Sequence, residues 1–264
     1  MLAALETVGT GLDAVQTQMD SIANNISNVN TFGYKQSLPV FESLLYQNQI
    51  QPGAASSGNT LYPSGLDIGT GVKIAAEVPV LTQGNPTQTG NPLDLAIQGA
   101  GYFQVLQPDG QVAYTRDGAF QLNQNGQLVT ADGFQVLPNI TVPANQTGIT
   151  IGTDGTISIT TPASSNAVVI GQIQLANFVN PQGLQPVGQN LYLPTTSSGP
   201  AITGTPQTNG LGSVNQGALE DSNTDVVSSM VDLISAERAY QLGTDVAQAA
   251  STDLGFLAQI ATNA

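Results

Sequence analysis

The sequence predicts an α+β protein: N- and C-terminal α-helices packed as a coiled-coil-like pair, with an inserted, mainly antiparallel β central region. Three observations carry this expectation. Near the N-terminus Met1, Leu5, Val8, Leu12, Val15, Met19, Ile22, Ile26 and Val29 step alternately by four and three, an apolar seam with a seven-residue repeat. Near the C-terminus Leu233, Ala236, Tyr240, Gly243, Ala247, Ala250, Leu254, Leu257 and Ala261 step in the same way. Between the two seams, Asp109-Gly110, Asp117-Gly118, Asn125-Gly126 and Asp132-Gly133 punctuate short runs of alternating apolar residues.

The first helix, at about 1.5 Å per residue, spans roughly 40–45 Å, and "NTFGYK" supplies the Asn and Gly that stop it. Its seam runs into Asn24, Asn25, Asn28 and Asn30, residues that favour caps and turns over helix interiors. Asparagine offers two donors and an acceptor without needing a counterion. The cluster therefore predicts either capping of a fraying end or lateral hydrogen bonds that fix the register of adjacent helices. Lys35, just beyond, is placed to meet the last carbonyls of the helix. The last helix needs no such ending: from Asp225 to Ile260 there is no proline, and "DSNTD" offers several N-cap residues. The middle of its seam is Gly and Ala, which lets a neighbouring helix approach closely. The matching stripes make residues 1–35 and 220–264 one discontinuous helical domain.

Residues 36–75 read as an extended connector. Its core, "QNQIQPGAASSGNTLYPSGLDIGTGV", is rich in Gly, Pro and Ser. Pro52 and Pro63 set turns, and Leu61, Tyr62, Leu66 and Ile68 supply contacts, so the segment is either a flexible linker or an ordered strut. Residues 76–219 form the β region, with a sub-boundary expected near 138–145. Phe103/Val105, Val112/Tyr114, Phe120/Leu122 and Phe134/Val136 alternate as a meander of short strands. "ITIGTDGTISI" adds a hairpin, "AVVIGQIQLANF" reads as one longer strand, and the Gly/Pro/Ser-rich residues 195–217 read as a second connector.

Composition closes off most chemistry. Histidine and cysteine are both absent, which removes Ser–His–Asp and Cys–His catalysis, disulfides and thiolate metal sites. Asp109, Asp117, Asp132 and Asp154 each precede glycine, where aspartate is the ordinary turn residue, so a glycosidase-like carboxylate pair finds no candidates. No catalytic, cofactor or metal residues are expected. The net charge of −14 rests on four scattered cations, Lys35, Lys73, Arg116 and Arg238, too few and too dispersed to bind nucleic acid or an anionic membrane. Arg116 and Arg238 read as solvated surface residues, with an ion pair to a neighbouring helix as the alternative for Arg238. The first residues lack a basic n-region, and no apolar run reaches the roughly 18 residues of a membrane span. Export, if it occurs, is expected to use a route without a cleaved signal.

Four stretches, in order, resemble the rod and hook axial proteins of the bacterial flagellum. "ANNISNVNTFGYK" (23–35) is similar to their N-terminal signature. "GNPLDLAIQGAGYFQV" (90–105) and "YTRDGAFQLNQNGQLVTADGFQVLP" (114–138) resemble their shared β region. "SNTDVVSSMVDLISAERAYQLGTDVAQAASTDLGFLAQI" (222–260) resembles their C-terminal helix, with its Arg-Ala-Tyr. Length and the 47–72 insertion are similar to the distal-rod branch; proximal-rod or hook-type subunits, or in another class a secreted fibre or adhesin, are the alternatives. Ile26-Ser27 and Ala236-Glu237 depart conservatively from the family pattern, and the chain is more acidic than the pattern leads one to expect.

The resemblance implies a subunit of a hollow helical tube whose terminal helices line a channel and whose β domains face outward. It implies torque transmission, and partners that include other copies, proximal rod proteins, the hook protein, peptidoglycan-level and outer-membrane rings, and the flagellar type III export apparatus. Expected interface residues are Leu5, Leu12, Val15, Met19, Ile22, Asn24, Asn25, Ile26, Asn28, Val29, Leu233, Arg238, Tyr240, Leu254 and Leu257, with Pro52, Leu61, Tyr62, Pro63, Leu66 and Ile68 in the strut. Ordering about 80 terminal residues costs more backbone entropy than a lone helix pair offsets, so the ends are expected to fold on incorporation.

Overall fold

The computed structural model describes residues 2–57, 60–162 and 164–263. The chain divides into two compact units: Met1–Ile26, Ser37–Val78 and Asp225–Ala264 form one, Ser27–Gln36 and Pro79–Thr224 the other.

The first unit contains both helices, α1 (Leu2–Ser27) and α2 (Val226–Asn263). At 1.5 Å per residue they are about 39 and 57 Å long. α1 stops short of Val29, which lies in the following turn. The carboxylate of Asp225 accepts the Val227 N–H at 3.0 Å and so caps α2, satisfying one of the donors that a helix start leaves open. The seams meet as the spacing predicts. Ile22 and Ala236 are buried, while Leu5, Leu12, Val15, Met19, Ile26, Leu233, Tyr240 and Leu254 are partly buried. Gly243 marks the tightest approach: a Cβ there would lie 2.7 Å from Leu12 Cδ2. The side chain of Leu257 lies outside the described residues.

The third element of this unit is a long interrupted hairpin. β1 (Ser37–Ser43), β2 (Gln47–Ile50) and β3 (Ala55–Ser57) return as β4 (Thr60–Leu61), β5 (Leu66–Ile68) and β6 (Val72–Pro79). The antiparallel pairs are β1–β6, β2–β5 and β3–β4. Its base lies along α1, where Thr10 Oγ1 accepts the Val72 N–H at 3.3 Å and the Ser21 hydroxyl donates to Glu77 at 3.0 Å.

The second unit is β throughout. Its strands begin with β7 (Pro86–Gln88), β8 (Leu95–Gln98), β9 (Tyr102–Leu106), β10 (Val112–Thr115), β11 (Gln121–Leu122), β12 (Leu128–Val129) and β13 (Gln135–Leu137). They continue as β14 (Gly148–Ile151), β15 (Thr156–Thr161), β16 (Ser164–Gln172), β17 (Leu175–Asn177), β18 (Gln185–Gly188), β19 (Leu191–Leu193), β20 (Ile202–Gly204), β21 (Ser213–Gln216) and β22 (Ala218–Glu220). The main sheet runs β11-β12-β13-β9-β10-β19-β18, with β17 and β20 attached through β9. β14, β15 and β16 form a separate antiparallel sheet, while β8 pairs with β21 and β7 with β22. Leu95, Ile97, Phe103, Phe120, Ile157, Ile173, Leu175 and Val214 fill the core, with Phe103 meeting Phe120 edge to face at 5.0 Å.

Three local expectations are corrected. Asp117-Gly118 makes no hairpin: Gly118 passes so close to Leu95 that a Cβ would fall 1.7 Å from its carbonyl oxygen, and the Asp117 carboxylate accepts the Ala119 N–H in an Asx turn. "AVVIGQIQLANF" is two strands, β16 and β17, because the chain changes sheet at Ile173 and Gln174. Residues 195–217 are no free connector: Pro206, Leu211 and Val214 are buried, and β20 and β21 pair within the unit.

Candidate functional site

α2 is apolar on two opposite sides. One side faces α1; the other exposes Val227 (72%), Val231 (58%), Ile234 (49%) and Phe256 (64%). A helix apolar all round belongs in an interior, so this second face is built to be covered. Where α1 and α2 meet, a groove of about 300 Å³ opens between Leu12 and Val15 on one helix and Leu242 and Val246 on the other. Arg238 stands exposed in the outward stripe. Among the described residues it forms no ion pair.

The asparagines sit in different surroundings. Asn25, 4% exposed, holds Ser37 by both backbone groups: its Nδ2 donates to Ser37 O at 2.8 Å and its Oδ1 accepts the Ser37 N–H at 2.9 Å. It therefore fastens the start of β1 to the end of α1. Asn28 Oδ1 accepts the Thr31 hydroxyl at 3.3 Å within the turn after the helix, and Asn24 is exposed.

The hairpin is held by its backbone and bare in its side chains. Across it the Gly53 N–H donates to Tyr62 O and the Tyr62 N–H to Ala54 O, both at 2.9 Å. Leu61, Tyr62, Leu66 and Ile68 are exposed, as are Pro52 and Pro63. Leu45 is the most open large apolar residue described, at 90%.

The second unit hides the one polar cluster that sequence reasoning missed. Glu220, 1% exposed, accepts hydrogen bonds from Lys35 Nζ and from the Gly84 N–H at 3.1 Å through Oε1, and from Arg116 NH1 at 3.2 Å through Oε2. Lys35 also donates to Thr82 O at 2.9 Å and Arg116 to Gly99 O at 2.8 Å, with the guanidinium 5.3 Å over the Tyr102 ring. Burial pulls the Lys35 ammonium below the usual lysine range, against the opposing pull of Glu220. Both cations were misplaced by their sequence reading: Arg116 is not solvated and Lys35 does not cap α1. Each is the lone cation of its stretch of sequence, and a buried charge requires a buried partner. That isolation was the available signal.

The rest of "NTFGYK" serves the same junction. Gly33, at φ +69°, donates to Glu220 O at 2.7 Å and lies so close to Arg116 and Asp117 that a Cβ would sit 2.6 Å from the Arg116 carbonyl carbon. Asn190 Nδ2 donates to Phe32 O at 3.1 Å. The signature is therefore a clamp: the chain enters and leaves the β unit at one ion cluster. A cleft of about 280 Å³ beside it is lined by Leu81, Gln83, Gly101, Tyr102, Asn177 and Pro181. No helix of the described residues is long and apolar enough to cross a membrane.

Three family models match the chain in order. Residues 5–35 match the flagella basal body rod protein model, 96–159 the flagellar hook protein FlgE/F/G D1 domain, and 215–260 the flagellar basal body rod FlgEFG protein C-terminal model. Among curated relatives, the flagellar basal-body rod protein FlgG of Buchnera aphidicola (subspecies Acyrthosiphon pisum) is 47% identical over 92% of this chain and 94% of its own. That of Borreliella burgdorferi is 42% identical over 97% of both chains, and that of Caulobacter vibrioides 43% over 97% of this chain and 98% of its own. The first and last models cover most of both helices together with Lys35 and Glu220, the middle one covers part of the β unit with Arg116, and the relatives align over nearly the whole chain. The chain belongs to the FlgG family of flagellar basal-body rod proteins.

Proposed function

We propose that this chain, a structural subunit of the flagellar rod and not an enzyme, builds the distal rod: a rigid, hollow helical tube that transmits motor torque to the hook and serves as the export channel. The observation that carries this reading is the second apolar face of α2, which no part of the chain covers among the described residues. A heterologous contact that does not close on itself generates an open helical filament, and many copies then complete the wall that one copy leaves unfinished.

Within the basal body, the proposed neighbours are other copies, proximal rod proteins, the hook protein, and the peptidoglycan-level and outer-membrane rings, so the rod runs from the periplasm to the outer membrane. Export proceeds through the flagellar type III apparatus without a cleaved signal. Both terminal helices order fully only on incorporation, which keeps the chain threadable before assembly. The hairpin between residues 37 and 79 is the strut between neighbouring copies, its exposed Leu61, Tyr62, Leu66 and Ile68 providing the contacts that keep the tube straight.

Electron microscopy of the purified full chain, concentrated until it polymerises, tests the reading. Straight hollow tubes are expected, and a chain that stays solitary at every concentration refutes it. Deleting residues 47–72 should give bent filaments; straight tubes from that variant would remove the strut. Broad-specificity proteolysis of the dilute monomer should trim both termini, and resistant termini would contradict ordering on incorporation.

A further inference from the structure

We propose that the cleft beside Glu220 is an anion site that takes a carboxylate group, held by the Lys35 ammonium and the Arg116 guanidinium. The two cations line the cleft together, and both are buried. They share one carboxylate, that of Glu220, so the cluster encloses one positive charge more than it balances. Asp94, the other buried carboxylate of this unit, accepts the Thr89 hydroxyl and the Asn91 amide, and among the described residues it pairs with neither cation.

A buried charge without a counter-charge is costly, and an unmade hydrogen bond adds to the cost. Both deficits belong to residues of this cleft. Arg116 Nε is buried and has no acceptor among the described residues. Burial also outweighs Glu220 at Lys35, whose ammonium is drawn below its usual range despite that contact. The lining selects the kind of anion. At about 280 Å³ the cleft has room for a carboxylate and the stem that carries it, and Leu81, Tyr102 and Pro181 give it apolar surface beside the cations. A carboxylate on a short apolar stem suits such walls better than a hydrated inorganic ion. Its two oxygens also match the planar fork of a guanidinium. Ala100, another lining residue, is exposed, so the cleft is reached from solvent.

The test needs only the monomer, so its outcome stands apart from that of the polymer reading. The chain has two arginines, Arg116 and Arg238, and only Arg238 is exposed. In the full-length Arg238→Lys variant, the one remaining arginine Nε–H resonance in the proton–nitrogen NMR spectrum belongs to Arg116. Chloride is exchanged for acetate at constant ionic strength while the chain is kept dilute. The Arg116 Nε–H and the Ala100 backbone amide should shift together along one saturating curve, half complete on the order of 1–10 mM acetate. Concentrating the same chain without acetate identifies the source of the group. If the two signals then move and acetate reverses them, the carboxylate is an acidic side chain of another copy; if they ignore chain concentration, it is a free carboxylate. The proposal is overturned if the Arg116 signal does not respond to acetate, or if added sodium chloride alone moves it equally.

Discussion

The two units of this molecule spend their apolar residues in opposite ways. The β unit buries Leu95, Ile97, Phe103, Val105 and Leu175 to the point that none retains exposed surface, while in α2 the sole described hydrophobic residue that is fully buried is Ala236. The β unit also encloses four charged groups, Lys35, Asp94, Arg116 and Glu220, and supplies each with partners, whereas the helical unit leaves Arg238 in the open. One unit is finished by its own chain; in the proposed rod the other is finished by its neighbours. Hydrophobic burial and charge pairing both drive the first to a closed structure, and the same two forces, left unspent on α2, drive association.

That contrast predicts where mutations are felt. The largest effect should come from Glu220→Ala, which leaves two cations buried without a counter-charge; a loss of about 3–5 kcal/mol in the β unit is expected from denaturant titration. Alkaline pH probes the same unit. Burial raises the Tyr192 hydroxyl to about 12. Its stabilising contribution is complete below about pH 10, where the unfolded tyrosine is still neutral, and is lost as pH rises toward 12. About 2–3 kcal/mol should disappear across that window, and Tyr192→Phe should abolish this part of the pH dependence. Equal alkaline sensitivity in the two proteins would show that Tyr192 does not set it.

Smaller effects belong to the helical unit. Asn25→Ala removes both bonds to Ser37, and the cost, about 1–3 kcal/mol, should appear as faster hydrogen exchange at the Ser37 amide. Ile234→Ala, on the exposed stripe, should change monomer stability by less than about 0.5 kcal/mol yet raise the critical concentration for assembly. If that variant unfolded the monomer instead, the division between a finished and an unfinished unit would fail.

Legibility in the sequence followed the range of the interactions. The helices were readable because a seven-residue seam is a local pattern, and Leu12 meets Gly243 where the small residues of the second seam predicted close approach. Hairpins at Asp109-Gly110, Asn125-Gly126 and Asp132-Gly133 were readable because the turn residues mark themselves. The ion cluster was not: Lys35 and Glu220 are 185 positions apart, and nothing near either residue names the other. Residues 195–217 misled for a related reason. Their Gly, Pro and Ser suit turns, and only the tertiary fold shows that Leu211 and Val214 between those turns reach the core. On α2, periodicity marked only the seam from Leu233 to Ala261, and the exposed apolar stripe on the opposite side went unread.

The scarcity of basic side chains reaches beyond assembly. Trypsin cuts only after lysine or arginine, and the fold withdraws Lys35 and Arg116 from reach, leaving Lys73 and Arg238 as the accessible cleavage points. Digestion of the folded chain should therefore stop at a large fragment from residue 74 to 238, with the Pro79–Thr224 part of the β unit inside it.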